Sequence, residues 1–554
     1  MVSLRVRSVC MLGLLFFVFL SLRGSFPSST FDRIQQLQVG MNEYKAKPTV
    51  VPHNPSEKPT PPSTKTGKPE QKEKEQVPEL EIVIDDDGLR QQDEHIPEEE
   101  EEHHPIYKPE PSEIPAPIVD RFPLAAAAHS AADLPSIPPW NRPPKPHVPE
   151  ATPLFIGFTR NWNLLQQTVV SWVTAGWPPE DIYVFENTGT MNSNALGLLS
   201  LQNPFYLNHT RLKMYGVNIV TTPTLLTFAQ LQNLYLWTAI QNNYPTYFWG
   251  HMDVLALSYE DRYADRHAKR IANVNPNQSY DDYKSIYKLA VDAMRNATSD
   301  APDINSDEPE KPWAIRFFGY DRLALVNRAA FEAVGGWDTL IPYYLTDCDM
   351  HDRLKMNGYE YNWPEDVHAG YVFDTGTSLD DLLVLYRLEG TADASFSIDK
   401  GVQDEVDRDK DVLIHFEEDN DLEEERKEKR NPRKRSWFGD EEPEWQYDTP
   451  GSAKFQSLQQ TAQNMSDYKN ERKNRNFWQA KQAGGKGEPY YRDPWGFEKA
   501  VQMTMQLGRD VYAEKWGHLD CGLQGTGLQA GDEWRVEHDW EPVPELEKEK
   551  EVSP

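Results

Sequence analysis

Between Leu154 and Trp249, apolar runs of strand length alternate with segments whose apolar residues recur at helical spacing. That alternation restricts the chain to an α/β fold with a mainly parallel sheet flanked by helices, since parallel neighbours need a crossover that a helix supplies. The first run, Leu154-Phe155-Ile156-Gly157-Phe158, breaks at Thr159-Arg160-Asn161. Trp162, Leu165, Val169, Trp172 and Val173 then share one helical face, which Gly176 and Pro178 end. Asp181-Ile182-Tyr183-Val184-Phe185 reads as a second strand running into Glu186-Asn187, and Val217-Asn218-Ile219-Val220 as a third. Thr227-Phe228-Ala229-Gln230 has the spacing of a capping box, and Phe228, Leu231, Tyr235 and Thr238 line the helix it opens. The strand Tyr247-Phe248-Trp249 comes next and runs into Gly250-His251-Met252-Asp253. Ligands of such sheets bind at the carboxyl ends of the strands, where Thr159, Glu186 and Asp253 fall.

His251 and Asp253 lie two residues apart, so an extended backbone turns both to one face, where they can grip a cation. In isolation a His-x-Asp pair more often ends a strand by bonding turn amides. Further along, Tyr320-Asp321-Arg322-Leu323-Ala324-Leu325-Val326-Asn327 leads to Gly335-Gly336-Trp337-Asp338, and then to Thr346-Asp347-Cys348-Asp349-Met350-His351-Asp352-Arg353-Leu354 with Gly358-Tyr359 after it. Acids at such a helix start are also favoured by the macrodipole alone.

In order and spacing these segments resemble the GT-A nucleotide-sugar glycosyltransferases, nearest to the family 2-like members. The resemblance covers roughly residues 153–377, with an insertion between about Ser258 and Lys311, and implies a Rossmann-like sheet and transfer of a sugar from a nucleotide donor. It places a divalent metal, Mn²⁺ or Mg²⁺, on His251, Asp253 and the later His368. His251 stands where the family has an aspartate, and imidazole is a competent ligand for such ions. It gives Thr159, Arg160, Glu186, Asn187, Gln232 and Asn233 to the nucleotide-sugar, and Gly336, Trp337 and Asp338 to the acceptor. Asp347 matches the general base; Thr346 replaces the family's first acid, so Asp349 stands as a second catalytic candidate. A cation would neutralise the departing diphosphate and a carboxylate would take the acceptor proton, with inversion at the sugar carbon.

The rest of the chain sets limits. Of 554 residues, 43 are proline, and the net charge is −31, so much of the chain is not core and nucleic acid is a poor partner. Arg5 and Arg7 precede an uncharged run over 9–22, which fits a signal peptide or a short uncleaved anchor following a cytosolic tail at 1–8. Either places the remainder in the secretory lumen, and a Golgi membrane protein of type II topology is the favoured expectation, with the endoplasmic reticulum or secretion as alternatives. Sequons at Asn208, Asn277, Asn296 and Asn464 agree with that. Residues 23–150 read as a disordered Pro/Glu-rich stem, 151–378 as the catalytic domain, 379–399 as an extension, and 400–452 as a disordered charged insertion. A helical extension over 453–545, with a helix from about Pro494 to Lys515, is expected to pack on the catalytic domain, ahead of a tail at 546–554. Cys10 lies in the hydrophobic run, so at most one intramolecular disulfide joins Cys348 and Cys521. The expected function is metal-dependent glycosyl transfer to a glycan or glycoprotein hydroxyl. The alternative is a non-catalytic glycan-binding scaffold on a degenerate transferase fold.

Overall fold

In the computed structural model the apolar runs become strands β1 (Leu154–Phe158), β2 (Ile182–Glu186), β3 (Asn218–Thr221) and β4 (Thr246–Gly250). Helix α1 (Trp162–Thr174) joins β1 to β2, α2 (His209–Tyr215) precedes β3, and α3 (Phe228–Gln241) precedes β4. The capping box forms as the sequence requires, with Thr227 accepting from the Gln230 amide and Gln230 bonding back to Thr227. The structure describes residues 104–109, 116–145, 150–262, 283–298, 312–361, 368–397, 445–470, 484, 487–489 and 493–540. Contacts divide the chain between Ile106 and Tyr107, and every element named here belongs to the second unit. The run over 9–22, most of the expected stem and residues 400–444 of the charged segment lie outside the described residues. Among those described, no helix is long and apolar enough to cross a membrane.

β1 pairs in parallel with β2 and β4, and β2 with β3. The sheet continues with β7 (Leu323–Asn327) antiparallel to β4, β6 (Trp313–Phe317) antiparallel to β7, and β8 (Glu360–Tyr361) parallel to β6. Helix α4 (Ile286–Thr298) precedes β6 in the chain, and the short α5 (Arg328–Ala333) leaves β7 directly. The order is β3-β2-β1-β4-β7-β6-β8, the mainly parallel α/β sheet expected. Alternate residues feed two cores. Leu154, Ile156, Phe158 and Phe248 join Trp172 and Trp177 on one face, while Phe155, Tyr247 and Trp249 join Tyr235 and Phe331 on the other. Burying each such side chain contributes about 1.5–3 kcal/mol, which is why the uninterrupted apolar runs decide the sheet. Gly157 permits the tight approach of α3, since a Cβ there would lie 2.5 Å from Leu231 Cδ2 and 2.6 Å from Tyr235 Oη.

Two antiparallel pairings build the site. β4 and β7 pair with Gly250 opposite Leu323, so Tyr320-Asp321-Arg322, just before β7, arrive beside the carboxyl end of β4. In a second sheet β5 (Val254–Leu257) pairs with β9 (Tyr371–Asp374), with Val254 opposite Asp374. Asp374 is thereby delivered next to Asp253.

Order begins earlier and extends further than composition suggests. Within the expected stem Phe122 is fully buried, its ring 6.4 Å from that of Tyr215 and 5.8 Å from that of Tyr386. Asn141 donates to Thr174 O at 3.0 Å and to Glu260 Oε1 at 2.9 Å. Leu379, Leu382, Leu385 and Leu388 of the expected extension belong to the first core, and Tyr447 bridges to Leu388. A few apolar residues in a Pro-rich stretch suffice when distant pockets receive them. The C-terminal extension provides α7 (Ala453–Asn470) and α8 (Pro494–Trp516). Ile341, Tyr512, Trp516 and Leu523 form a small third core where α8 meets α6 (Thr346–Met356), and the Cys348–Cys521 disulfide clamps the same junction.

Candidate functional site

The turn from β4 to β5 is fixed from below by Thr168 of α1, whose hydroxyl donates to Met252 O at 2.6 Å and Val254 O at 2.8 Å. It presents Asp253 to a lysine. Lys469 Nζ, in the last turn of α7, lies 2.6 Å from Asp253 Oδ2 and 2.5 Å from Asp374 Oδ1, and all three residues are buried. Burial alone would lower the lysine pKa, but the two carboxylates more than offset it and hold it above its ordinary value. The ammonium stays charged.

His251 stacks on Trp249 and lies between acids, with Nδ1 3.8 Å from Asp253 Oδ1 and Nε2 3.3 Å from Asp321 Oδ2. Burial pushes its pKa down, while Asp321, Asp253 and Asp374 raise it, to about 9. The acids on either side of the ring thus outweigh its burial.

Asp347 sits in the first turn of α6, after Leu345 in the left-handed region at φ 66°. Its carboxylate is half-buried and accepts from the Tyr320 hydroxyl at 3.1 Å. Burial and the neighbouring Asp347 and Asp321 push the Tyr320 phenol well up, so it remains a donor. On the next turn, burial lowers His351 to about 4 in spite of Asp347 and Asp321, with Lys355 adding to the fall, so His351 is neutral. A row of polar side chains, Asp347 with Tyr320 and then Asp321, His251, Asp253, Lys469 and Asp374, thus lies by the carboxyl end of β4, its two parts joined by the backbone between Tyr320 and Asp321.

Asp349, the second catalytic candidate, has surroundings unlike those of Asp347. It is fully buried, with Oδ2 held by Arg353 Nε at 2.9 Å and Oδ1 by Trp516 Nε1 at 3.0 Å and Lys515 Nζ at 2.7 Å. Arg353 also donates to Val334 O and Gly336 O, so this pair fastens α6 to the loop before it. Asp349 is a structural ion-pair centre.

The residues expected on the nucleotide divide. Thr159 and Arg160 do reach the carboxyl end of β1, where Arg160 NH2 lies 3.3 Å from Glu498 Oε2 of α8 and its guanidinium stacks 4.7 Å over Phe497. Glu186 is fully enclosed instead, its oxygens engaged by Asn194 at 2.7 Å, His209 at 2.8 Å and Thr221 at 3.0 Å. Asn187 is likewise spent, bonding Leu226 through both ends of its amide. Gln232 is buried in α3. Asn233 accepts from Trp337 N and donates to Trp337 O, both at 2.8 Å.

Of the acceptor residues, Gly336 adopts φ +73° with Asn233 Oδ1 only 2.7 Å from where a Cβ would stand. Trp337 is 4% exposed and packs on Phe228 and Phe331 in the second core. Asp338 pairs with Lys515 at 2.7 Å, which together with the Leu340 amide lowers its pKa despite partial burial.

The side chains do not fit the expected divalent ion. Asp253 and Asp374 both pair with the buried Lys469, His251 lies between Asp253 and Asp321, and His368 is exposed. Among the described residues no group of three or more His, Cys, Asp or Glu side chains is arranged to hold a metal ion. Tyr320, Asp321, Asp374 and Lys469 are the site residues that sequence reasoning missed. Only Lys469 left a local signal: with Phe455, Leu458, Ala462 and Met465 it completes a stripe spaced three and four, a charge at the end of a buried helix face.

No protein-family model matches this sequence, and no match was found among curated proteins. Solved structures do match, among them the mannosyltransferase PcManGT from Pyrobaculum calidifontis in complex with GDP-Man and Mn²⁺. It is 15% identical over 42% of this chain and 59% of that enzyme, with a TM-score of 0.22, a likeness too slight to decide function.

Proposed function

We propose that this protein is a nucleotide-sugar-dependent glycosyltransferase acting on the hydroxyl of a glycan or glycoprotein, with Asp347 as its general base. The observation that carries the reading is the placement of Asp347, the one half-open acid of its helix turn beside an enclosed Asp349, on the polar chain at the carboxyl end of β4. That edge is where α/β sheets bind ligands. Asp347 takes the acceptor proton as the oxygen attacks the anomeric carbon; the bond to the diphosphate breaks on the opposite side, and the anomer inverts. Tyr320 donates to the carboxylate and orients it. Thr159 and Arg160, at the carboxyl end of β1, are the nucleotide-side residues that this reading retains, with Arg160 buried and paired with Glu498. A lumenal setting, with Golgi residence through the run over 9–22, is part of the proposal; the Cys348–Cys521 bridge supports it because such bonds persist in oxidising compartments.

The test is release of nucleoside diphosphate by the full chain from a panel of nucleotide sugars with mixed saccharide acceptors. Asp347→Asn is expected to lose roughly 10²–10⁴-fold in turnover with an unchanged Tm. Undiminished turnover in that variant would sink the base assignment. The enclosure of Glu186 and Asn187 favours a second reading, a glycan-binding scaffold without catalysis; failure of every nucleotide sugar and nucleoside diphosphate to bind, alongside retained glycan binding, would establish it.

A further inference from the structure

We propose that the Lys469 ammonium is the permanent cation of this site, standing where a divalent ion would otherwise sit, so that the protein works without metal. The inference rests on the transferase reading for its chemistry and on geometry alone for the cation. Asp253 ends the β4 turn and Asp374 ends β9, and the antiparallel pairing of β5 with β9 brings the two carboxylates to one point. Two buried acids converging there require a positive charge, which a metal or a side chain can supply. Here the side chain is built in. The stripe Phe455, Leu458, Ala462, Met465 docks α7 on the core, and Lys469, one turn further, is carried inward by the same periodicity. The helix C-terminus also favours a cation. Both hydrogen bonds to the carboxylates are short, at 2.6 and 2.5 Å, and the lysine is 6% exposed. A divalent ion cannot share those oxygens with an ammonium at that distance.

In the transfer step the bond between the anomeric carbon and the diphosphate oxygen breaks with its electron pair on that oxygen. Under that reading the Lys469–Asp253–Asp374 cluster at the end of β4 is already assembled from side chains, one ammonium between two carboxylates. The acceptor oxygen forms the new bond and its proton passes to Asp347. No metal enters this balance.

The experiment is titration of the full chain with Mn²⁺, followed by electron paramagnetic resonance, with thermal shifts for UDP and GDP in EDTA or in Mn²⁺. The wild type is expected to bind no stoichiometric Mn²⁺ and to show nucleotide shifts and turnover unchanged by EDTA. Lys469→Met, which leaves two unneutralised carboxylates, is expected to gain about one Mn²⁺ per chain while its nucleotide affinity in EDTA falls roughly tenfold to a hundredfold. Lys469→Arg, which keeps the charge, is expected to stay metal-free. Stoichiometric Mn²⁺ on the wild type overturns the inference, as does a Lys469→Met variant that folds and neither gains Mn²⁺ nor loses nucleotide affinity. Should Lys469→Met not fold, the wild-type titration still decides. Should no nucleotide bind at all, the transferase reading fails, while the Mn²⁺ titration separately judges the lysine.

Discussion

Asn233 holds Trp337 through both ends of one amide, accepting from its backbone N and donating to its carbonyl, across 104 positions of sequence. The Gly336 turn, at φ +73°, brings the two backbone groups into line for it. Asn233→Ala leaves both backbone groups without their partner near a tryptophan that is 4% exposed. The expected loss is on the order of 2 kcal/mol, read as a lower urea midpoint at constant m. If Asn233 were instead a nucleotide ligand, the variant would keep its midpoint and lose only nucleotide affinity. The sequence shows Asn233 as one polar residue of an amphipathic helix, and nothing local names Trp337 as its mate. The same holds for Asp349 against Asp347. Two acids a half-turn apart look alike in sequence, and their fates separate only because Lys515 and Trp516 arrive at one and Tyr320 at the other.

At the level of elements, the strands and the helices α1 and α3 were legible because period and caps are local properties: β1 runs over Leu154–Phe158 as its apolar run does, and α3 opens at Thr227. What was not legible is where an element ends up. Asp321 and Asp374 enter the site through antiparallel pairings whose register belongs to the sheet, and Phe122 finds its pocket from a stretch whose composition resembles a tether. Helix α8 is the clearest case. Its apolar content announced a packed helix, but its anchorage on α6 depends on Lys515, Trp516 and the Cys348–Cys521 bridge together. That bridge spans 173 residues, so chain entropy alone assigns it up to about 5 kcal/mol. The double variant Cys348→Ser/Cys521→Ser is therefore expected to lower the urea midpoint and to raise amide exchange in α8 and α6 before it does so in β1 or β4. Uniform exchange across all four would mean that α8 is not a separately anchored layer.

For the whole molecule, two histidines, His251 among the polar side chains and His351 one turn beyond Asp347, titrate in opposite senses, and each shapes one limb of the stability curve. His251 has its pKa raised from 6.5 to about 9 because Asp321, Asp253 and Asp374 outweigh its burial. The folded state holds that proton more tightly than the unfolded chain, so its contribution is complete below about 6.5 and vanishes as the pH climbs through about 9. His351 has its pKa lowered from 6.5 to about 4, burial being the chief cause. The unfolded chain binds that proton more readily, so the benefit of a neutral ring is complete above about 6.5 and is lost as the pH falls towards about 4. The expected curve has its maximum near pH 6.5, with one histidine shaping each limb. Urea midpoints from pH 4.5 to 9.5 test this in two variants. In His251→Gln the stability gap to wild type should be widest below pH 6.5 and close above it. In His351→Gln the gap should change instead on the acid side, where only the wild type takes up a proton at this position on unfolding. Acid carboxylates steepen that limb in both proteins, so the difference between the curves, rather than either curve, carries the result. Gaps that stay constant with pH in both variants would mean that these rings are solvated and that the polar chain does not close around them.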